Sequence, residues 1–231
     1  MATAPASAGL MIQLRITGVN DFPSSDGSVA FASTGDVVHM DVWAVVTGTN
    51  SVNDEGFQSV EGSFTSRFGL IGDLSAARVP PFNALGSQAG IPNDFDSDGD
   101  LDIGANSEEA TQISDSRFFF ARSSTMQEDG VPFGSSEYFL IGSLTLTHRD
   151  VPRWSDTSID FVRRVNANRT NNIAFGTWTE DGVLRNPTNG VITTGPVVIV
   201  DAYIPKPSAA ALAAVATLGL LVRRREQHEN E

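Results

Sequence analysis

The run DVVHMDVWAVV, Asp36 to Val46, decides how the chain is read. Val38, Met40, Val42, Ala44 and Val46 fall on one side of an extended strand. Val37, His39, Asp41, Trp43 and Val45 fall on the other, because successive strand side chains point to opposite faces. The pattern predicts a strand with Val38, Met40 and Val42 turned into a core. Similar runs flank it: MIQLRITG from Met11, EYFLIGSLTLTH from Glu137, SIDFVRRV from Ser158, NIAFGTWTED from Asn172 and VITTGPVVIVDAY from Val191. In FQSVEGSFTSRFGL the alternation sets Phe57, Ser59, Glu61, Ser63 and Thr65 opposite Val60, Phe64 and Phe68. All are rich in Val, Ile, Thr and aromatic residues. Turn clusters such as SSDG, STGD, NDEG, EDG and NPTNG separate them. No long helical pattern precedes the C-terminal tail, and there is no internal repeat. The expected fold is all-β, one antiparallel β-sandwich over residues 9–203.

The chain has 231 residues, enough for a sizeable core. Its net charge of −13 sets 28 acidic residues against 15 basic ones, of which only Lys206 is a lysine. Between Gly9 and Pro205 there are 25 acids and 11 arginines, a local balance of −14. Such a surface repels phosphate backbones, which argues against nucleic-acid binding, and attracts divalent cations. The absence of cysteine excludes disulfides, thiolate metal sites and cysteine nucleophiles. Asn168-Arg169-Thr170 fits the N-glycosylation pattern, a tripeptide that arises often by chance.

Both ends read as processing signals. Ala6-Ser7-Ala8 has the form of a signal-peptidase site without the basic and apolar regions that should precede it. Residues 1–8 are therefore expected to be the remnant of a signal peptide, the alternative being a flexible leader. In the tail, the fourteen uncharged residues Ala209 to Val222 would reach about 21 Å as a helix. That is short against a hydrocarbon core of about 30 Å. Arg223, Arg224 and Arg225 would hold its end in the cytoplasm. The run is apolar all round, unlike an amphipathic core helix, so a transient membrane stop is expected. Pro205-Lys206-Pro207-Ser208, the apolar run and the arginine cluster together resemble the PEP-CTERM sorting signal of exported bacterial proteins. The resemblance implies recognition of residues 204–231 by an exosortase, cleavage near the motif and placement at the cell surface or in a biofilm matrix. Lys206 stands where that family usually has glutamate.

The stretch STGDVVHMDVWAVVTGTNSVNDEGFQSVEGSF, Ser33 to Phe64, with SEYFLIGSLTLT, Ser136 to Thr147, resembles a cohesin-type sandwich. Cohesins and related carbohydrate-binding modules place a Gly-Asp turn before a long strand, as Gly35-Asp36 does here. The resemblance implies a cohesin-like or jelly-roll sandwich, and says more of fold than of partner.

One stretch carries metal chemistry. NDFDSDGDLDIGANSEE contains Asp94, Asp96, Asp98, Gly99, Asp100 and Asp102. Alternate residues along a tight loop can aim carboxylates at one point, and Gly99 suits the sharp turn. Calcium prefers six to eight oxygens. Asp94, Asp96, Asp98 and Asp102 are expected to supply side-chain oxygens and Asp100 its backbone carbonyl. Carboxylates this crowded repel one another without a cation. An EF-hand reading fails, since the position for its bidentate glutamate holds Ala105. The loop resembles the shorter calcium loops of thrombospondin repeats and integrin propellers, and half of a dockerin. Glu108 or Glu109 could fold back as an extra ligand. The competing reading is a solvated acidic turn.

No catalytic pattern emerges. His39, His148 and His228 are far apart and fit no zinc motif, and no G-x-S-x-G elbow is present. Glu61 and Glu137 are arbitrary choices for a glycosidase pair. Trp43, Trp154 and Trp178 could form a sugar platform or pack the core. The expected function is therefore an exported calcium-binding surface or matrix protein, structural or adhesive and not an enzyme. Its expected partners are the exosortase, exopolysaccharide or other matrix proteins. The alternatives are a carbohydrate-binding module recognising exopolysaccharide and a secreted hydrolase.

Overall fold

The structure, a computed structural model, describes residues 9–23, 27–50, 52–67, 72–105, 116–149, 156–164, 176–186 and 192–201. Ala6 to Ala8, Phe68, Glu108, Glu109, Trp154, Asn168 to Thr170 and everything from Ala202 onward lie outside them, and with these the expected C-terminal helix. The described residues contain strands and no helix. In chain order they are β1 (Gly9–Val19), β2 (Phe22–Pro23), β3 (Val29–Ala32), β4 (Val37–Thr47), β5 (Gly56–Arg67), β6 (Gly72–Arg78), β7 (Pro92–Asn93), β8 (Asp102–Ile103) and β9 (Phe119–Gln127). They continue with β10 (Val131–Phe133), β11 (Ser136–His148), β12 (Asp156–Arg163), β13 (Gly176–Glu180), β14 (Val183–Arg185), β15 (Ile192–Gly195) and β16 (Val197–Asp201).

Two sheets form. The first runs β10-β11-β4-β1-β15, with β2 on β1 and β6 on β11. The second runs β14-β13-β5-β12-β16-β3, with β9 and β8 also paired to β5. The alternation of β4 is realised: Val38, Met40, Val42, Ala44 and Val46 are buried, and His39 between them is exposed. Leu10, Ile12, Leu14 and Ile16 of β1 join them from the same sheet. The opposing layer supplies Val60, Phe64, Ile159, Phe161, Trp178, Val197 and Ile199.

Two expectations need correction. The sandwich is not wholly antiparallel, because β1 pairs with β15 and β3 with β16 in parallel. The C-terminal run passes from the first sheet to the second at Gly195-Pro196, and proline has no N–H to continue a ladder. Each half then lies alongside an N-terminal strand running the same way. Phe57 does not share the face of Ser59 and Glu61. The register of β5 against β13 shifts between Ser59 and Phe57, paired with Thr177 and Trp178, and the extra residue on β5 reverses the parity. Phe57 is buried with the core, its ring 5.2 Å from that of Phe82 and 5.9 Å from that of Phe139.

The outer face of β5 is buried too. Glu61, Ser63 and Thr65 are all enclosed. Glu61 ion-pairs with Arg164, whose guanidinium lies 4.4 Å over the ring of Phe118. Ser63 Oγ donates to Ala105 O at 2.9 Å, and Ala105 N donates back to Ser63 Oγ at 3.2 Å. Gly104 makes that approach possible, since a Cβ there would lie 2.2 Å from Ser63 Oγ.

Phe64 sits where the second sheet meets β9 and β12, its ring 5.1 Å from Phe119 and 5.3 Å from Phe161. Phe64→Ala should lower the unfolding free energy by about 3–5 kcal/mol. Phe22→Ala, at a side chain 76% exposed, should change it by less than about 0.5 kcal/mol. Urea titrations of the two variants check this, and equal midpoints would contradict the assigned core.

Candidate metal centre

The acidic run is the loop of a short hairpin. β7 and β8 pair at Pro92 with Ile103 and at Asn93 with Asp102, so the ladder closes on both sides of Asp94 to Leu101. Inside it Ser97 and Gly99 take positive φ, 66° and 98°, which turn the chain sharply. Asp94 Oδ2 accepts from Gly99 N at 3.1 Å, and Asp98 Oδ1 accepts from Asp100 N at 3.2 Å. Asp94, Asp96 and Asp98 each bring a carboxylate oxygen within 4.8 Å of the other two.

Asp100 and Asp102 are buried and turn onto Ser66, near the end of β5. Ser66 N donates to Asp102 Oδ1 at 2.8 Å. Ser66 Oγ lies 2.8 Å and 2.9 Å from the two oxygens of Asp100, and 3.3 Å from Asp102 Oδ1. One hydroxyl proton cannot satisfy three carboxylate oxygens. Asp102 Oδ2 and Asp94 Oδ1 are buried with no hydrogen-bond partner. Burial therefore pushes Asp100 and Asp102 each up to about 7, against the Ser66 hydrogen bonds and with the charge of Asp98 adding to the rise. Asp96 is raised in the same way, by burial first and then by Asp98.

The loop is strapped to the sandwich from outside. Leu74 N, on β6, donates to Leu101 O at 2.7 Å, and Leu101 N donates to Asp73 Oδ1 at 3.1 Å. Arg149 Nε donates to Asp73 Oδ2 at 2.8 Å, and Arg149 Nη1 to Gly99 O at 3.1 Å. Three of the expected ligands, Asp94, Asp96 and Asp98, are thus brought together. Asp100, expected to offer its carbonyl, also has its carboxylate enclosed beside the loop, and Asp102 keeps one unpartnered oxygen there. The donor set is all oxygen, which suits calcium or magnesium and not a softer metal. Ser66, Asp73 and Arg149 were not identifiable as parts of this site, because they come from strands remote in sequence.

The remaining candidates disperse. Trp178 is buried in the core with Nε1 donating to Glu180 Oε2 at 3.2 Å. His148 is buried at the end of β11. Glu61 is held by Arg164, and Glu137 is buried with Oε2 accepting from Gly130 N at 3.2 Å. Trp43 instead lines a cleft of about 350 Å³ on the outer face of the first sheet, with Arg15, Val131, Pro132, Phe133 and Tyr138. The Arg15 guanidinium lies 5.5 Å from the Trp43 ring centre and 4.8 Å from that of Tyr138. Phe133 is 75% exposed and meets Tyr138 edge-on at 6.2 Å.

No family model matches the chain, and no curated protein matches it. Among solved structures it is similar to the seventh ScaB type I cohesin of Pseudobacteroides cellulosolvens, at 10% identity and a TM-score of 0.41, covering 86% of this chain and 96% of that one. It is also similar to a chain of a type I cohesin–dockerin complex from Clostridium thermocellum, at 10% identity and a TM-score of 0.36, covering 87% of this chain and 99% of that one. At these scores the matches describe a general likeness of β-sandwiches and identify no partner.

The buried pair gives stability a definite pH dependence. A native pKa raised above the unfolded value of about 3.9 means that the native state holds protons which the unfolded chain has released. The contribution of Asp100 and Asp102 is complete below about pH 4 and is lost as pH rises through about 7. The loss is at most about 1.4 kcal/mol per pH unit for each carboxyl. In EDTA, wild-type unfolding free energy should fall across this window, and Asp102→Asn, which keeps the shape without the charge, should fall less steeply. Equal slopes in urea titrations from pH 4 to pH 8 would refute the burial of this charge.

Proposed function

We propose that the protein is an exported, calcium-binding β-sandwich of the cell surface or extracellular matrix with a structural or adhesive role. The observation that carries the metal assignment is the convergence of Asp94, Asp96 and Asp98 beside a buried, unpartnered oxygen of Asp102. Calcium there would supply the positive charge that Ser66 alone cannot, and would fix the β7–β8 hairpin against β5. The proposed route to the surface rests on sequence. Residues 204–231 serve as a PEP-CTERM-like signal, hold the chain transiently in the membrane, and are the substrate of an exosortase. Exopolysaccharide or another matrix protein is the proposed partner.

A second reading, carbohydrate binding, is favoured by the Trp43–Tyr138 cleft. Half-buried aromatic rings beside a guanidinium, with the exposed Phe133 next to them, suit a sugar ring, which offers C–H groups to the aromatic and hydroxyls to the cation.

Thermal melts in EDTA and in millimolar calcium test the metal. A hundredfold excess of calcium over its Kd should stabilise by about 2.7 kcal/mol, roughly 5–10 °C for a domain of this size. Asp96→Ala/Asp98→Ala should shift the calcium titration to higher concentration without unfolding the sandwich. An unchanged titration would remove the metal from this loop. Affinity electrophoresis through isolated exopolysaccharide tests the second reading: wild type should be retarded, and Trp43→Ala should run freely at unchanged melting temperature.

A further inference from the structure

A second group of carboxylates gathers where β5 begins. Asp54, Glu55 and Asp181 each place a carboxylate oxygen within 4.8 Å of the other two. Glu55 is 2% exposed, yet its Oε1 has no hydrogen-bond partner, and neither does the buried Oδ1 of Asp54. Asp181 and Gly182 form the two-residue turn between β13 and β14, with φ of 52° and 69°. Positive φ at both positions is the type I′ geometry that Asp-Gly favours. The turn aims Asp181 across to the segment after β4. There Thr49 N, at 2.8 Å, and Asn50 N, at 3.1 Å, donate to its Oδ1, and Thr49 Oγ1 donates to Oδ2 at 2.7 Å. These bonds hold Asp181 ionised, with its pKa lowered chiefly by Thr49.

The space between the carboxylates is kept open by a glycine. A Cβ on Gly48 would lie 2.0 Å from Glu55 Oε1 and 2.6 Å from Asp181 Oδ1. The unpartnered oxygen of Glu55 therefore faces Asp181 across the bare Gly48 backbone. Glu137 lies behind, buried, its own Oε1 also unpartnered. Asp181 also feels the charge of Arg185, whose guanidinium is engaged by Glu180 at 3.2 Å. Buried carboxylate oxygens left without donors are costly. A hard cation would satisfy them together.

We propose that Asp54, Glu55 and Asp181 form a second divalent-cation site of the calcium class, over Gly48 and distinct from the Asp94–Asp102 loop. The donors are all oxygen, which fits calcium, with waters completing the shell. Glu55 and Ser66 lie toward opposite ends of β5, eleven residues apart and so roughly 35 Å at about 3.3 Å per residue. The two sites therefore act independently. The cation joins the entry to β5 to the β13–β14 turn, remote from it in sequence, and Asp181 in turn holds Thr49 and Asn50 after β4.

Calorimetric titration of the EDTA-treated full chain with calcium alone tests the site. Wild type should bind two equivalents, and Asp96→Ala/Asp98→Ala one. In that background Glu55→Gln should weaken the remaining binding about tenfold or more, through loss of one charged ligand. Its melting temperature in EDTA should hold or rise, since a repelling charge is gone. Asp181→Asn, which an asparagine tolerates at positive φ, should weaken binding likewise and guards against a folding artefact at the buried Glu55. Absence of residual binding in Asp96→Ala/Asp98→Ala, or affinity unchanged by both Glu55→Gln and Asp181→Asn, would overturn the site while leaving the loop assignment standing. Binding lost with Glu55→Gln but insensitive to Asp96→Ala/Asp98→Ala would establish this site and overturn the loop.

Discussion

The sandwich depends on a strand that is buried on both faces. β5 turns Phe57, Val60 and Phe64 into the core, its outer face carries Glu61, Ser63 and Thr65, and Ser66 follows Phe64 on the inner face near the strand's end, all of these polar groups enclosed. A buried polar group without a partner costs about 1–3 kcal/mol, and a charge costs more. These buried polar groups of β5 therefore select what covers them. Glu61 takes Arg164 from the end of β12, Ser63 takes the backbone of Ala105, and Ser66 takes Asp100 and Asp102. Gly62 supports the same arrangement from the core side, where a Cβ would lie 2.3 Å from the Phe161 ring. The place of the acidic hairpin thus follows from satisfying β5 and not from the hairpin's own short ladder.

That dependence ties the chemistry to the fold. The charge of the chain is not spread evenly, because carboxylates concentrate at the entry to β5 and near its end. In both places the strand's approach encloses part of the cluster, and in both at least one enclosed oxygen lacks a donor. Enclosure strengthens repulsion by lowering the local dielectric, and it strengthens attraction to a cation equally. Arg149 offsets little of this at the loop, since its guanidinium goes to Asp73 and the carbonyl of Gly99. It positions the loop without neutralising the Asp94, Asp96 and Asp98 carboxylates.

How far the sequence was legible follows from which features are local. The alternation of β4 could be read because every residue from Val38 to Val46 keeps one parity, and the structure buries the face it predicted. Phe57 was misread because one extra residue on β5 against β13 reverses parity, and nothing local distinguishes that bulge from a regular strand. The parallel pairs escaped because they depend on which N-terminal strand receives each half of the C-terminal run. At the loop, spacing identified Asp94, Asp96 and Asp98 as convergent, since the convergence is made within nine residues by two positive-φ turns. The inward turn of Asp100 onto Ser66 was hidden, because its cause lies 34 residues away. The second cluster was hidden further. NDEG and EDG read as ordinary turns, and only the β13–β5 pairing brings Asp181 to Glu55.

The coverage of β5 also decides which face of the sandwich can carry the proposed binding surface. The second sheet has its outer face occupied by Ala105, Phe118 and Arg164, which pack there as a small layer of their own. On the outer face of the first sheet Val45 is buried and Trp43 and Tyr138 are half-buried, with the exposed Phe133 beside them at the β10–β11 hairpin. Rings fixed by a sheet lose little conformational freedom on contact, which lowers the cost of binding at the proposed surface. Arg15 stacked over both rings limits their motion further and leaves a cation at the rim of an otherwise acidic surface. One sheet is consolidated by buried polar pairing on its outer face and the other presents aromatic rings on its own, so that changes at Trp43 or Tyr138 leave the packing of β5 untouched.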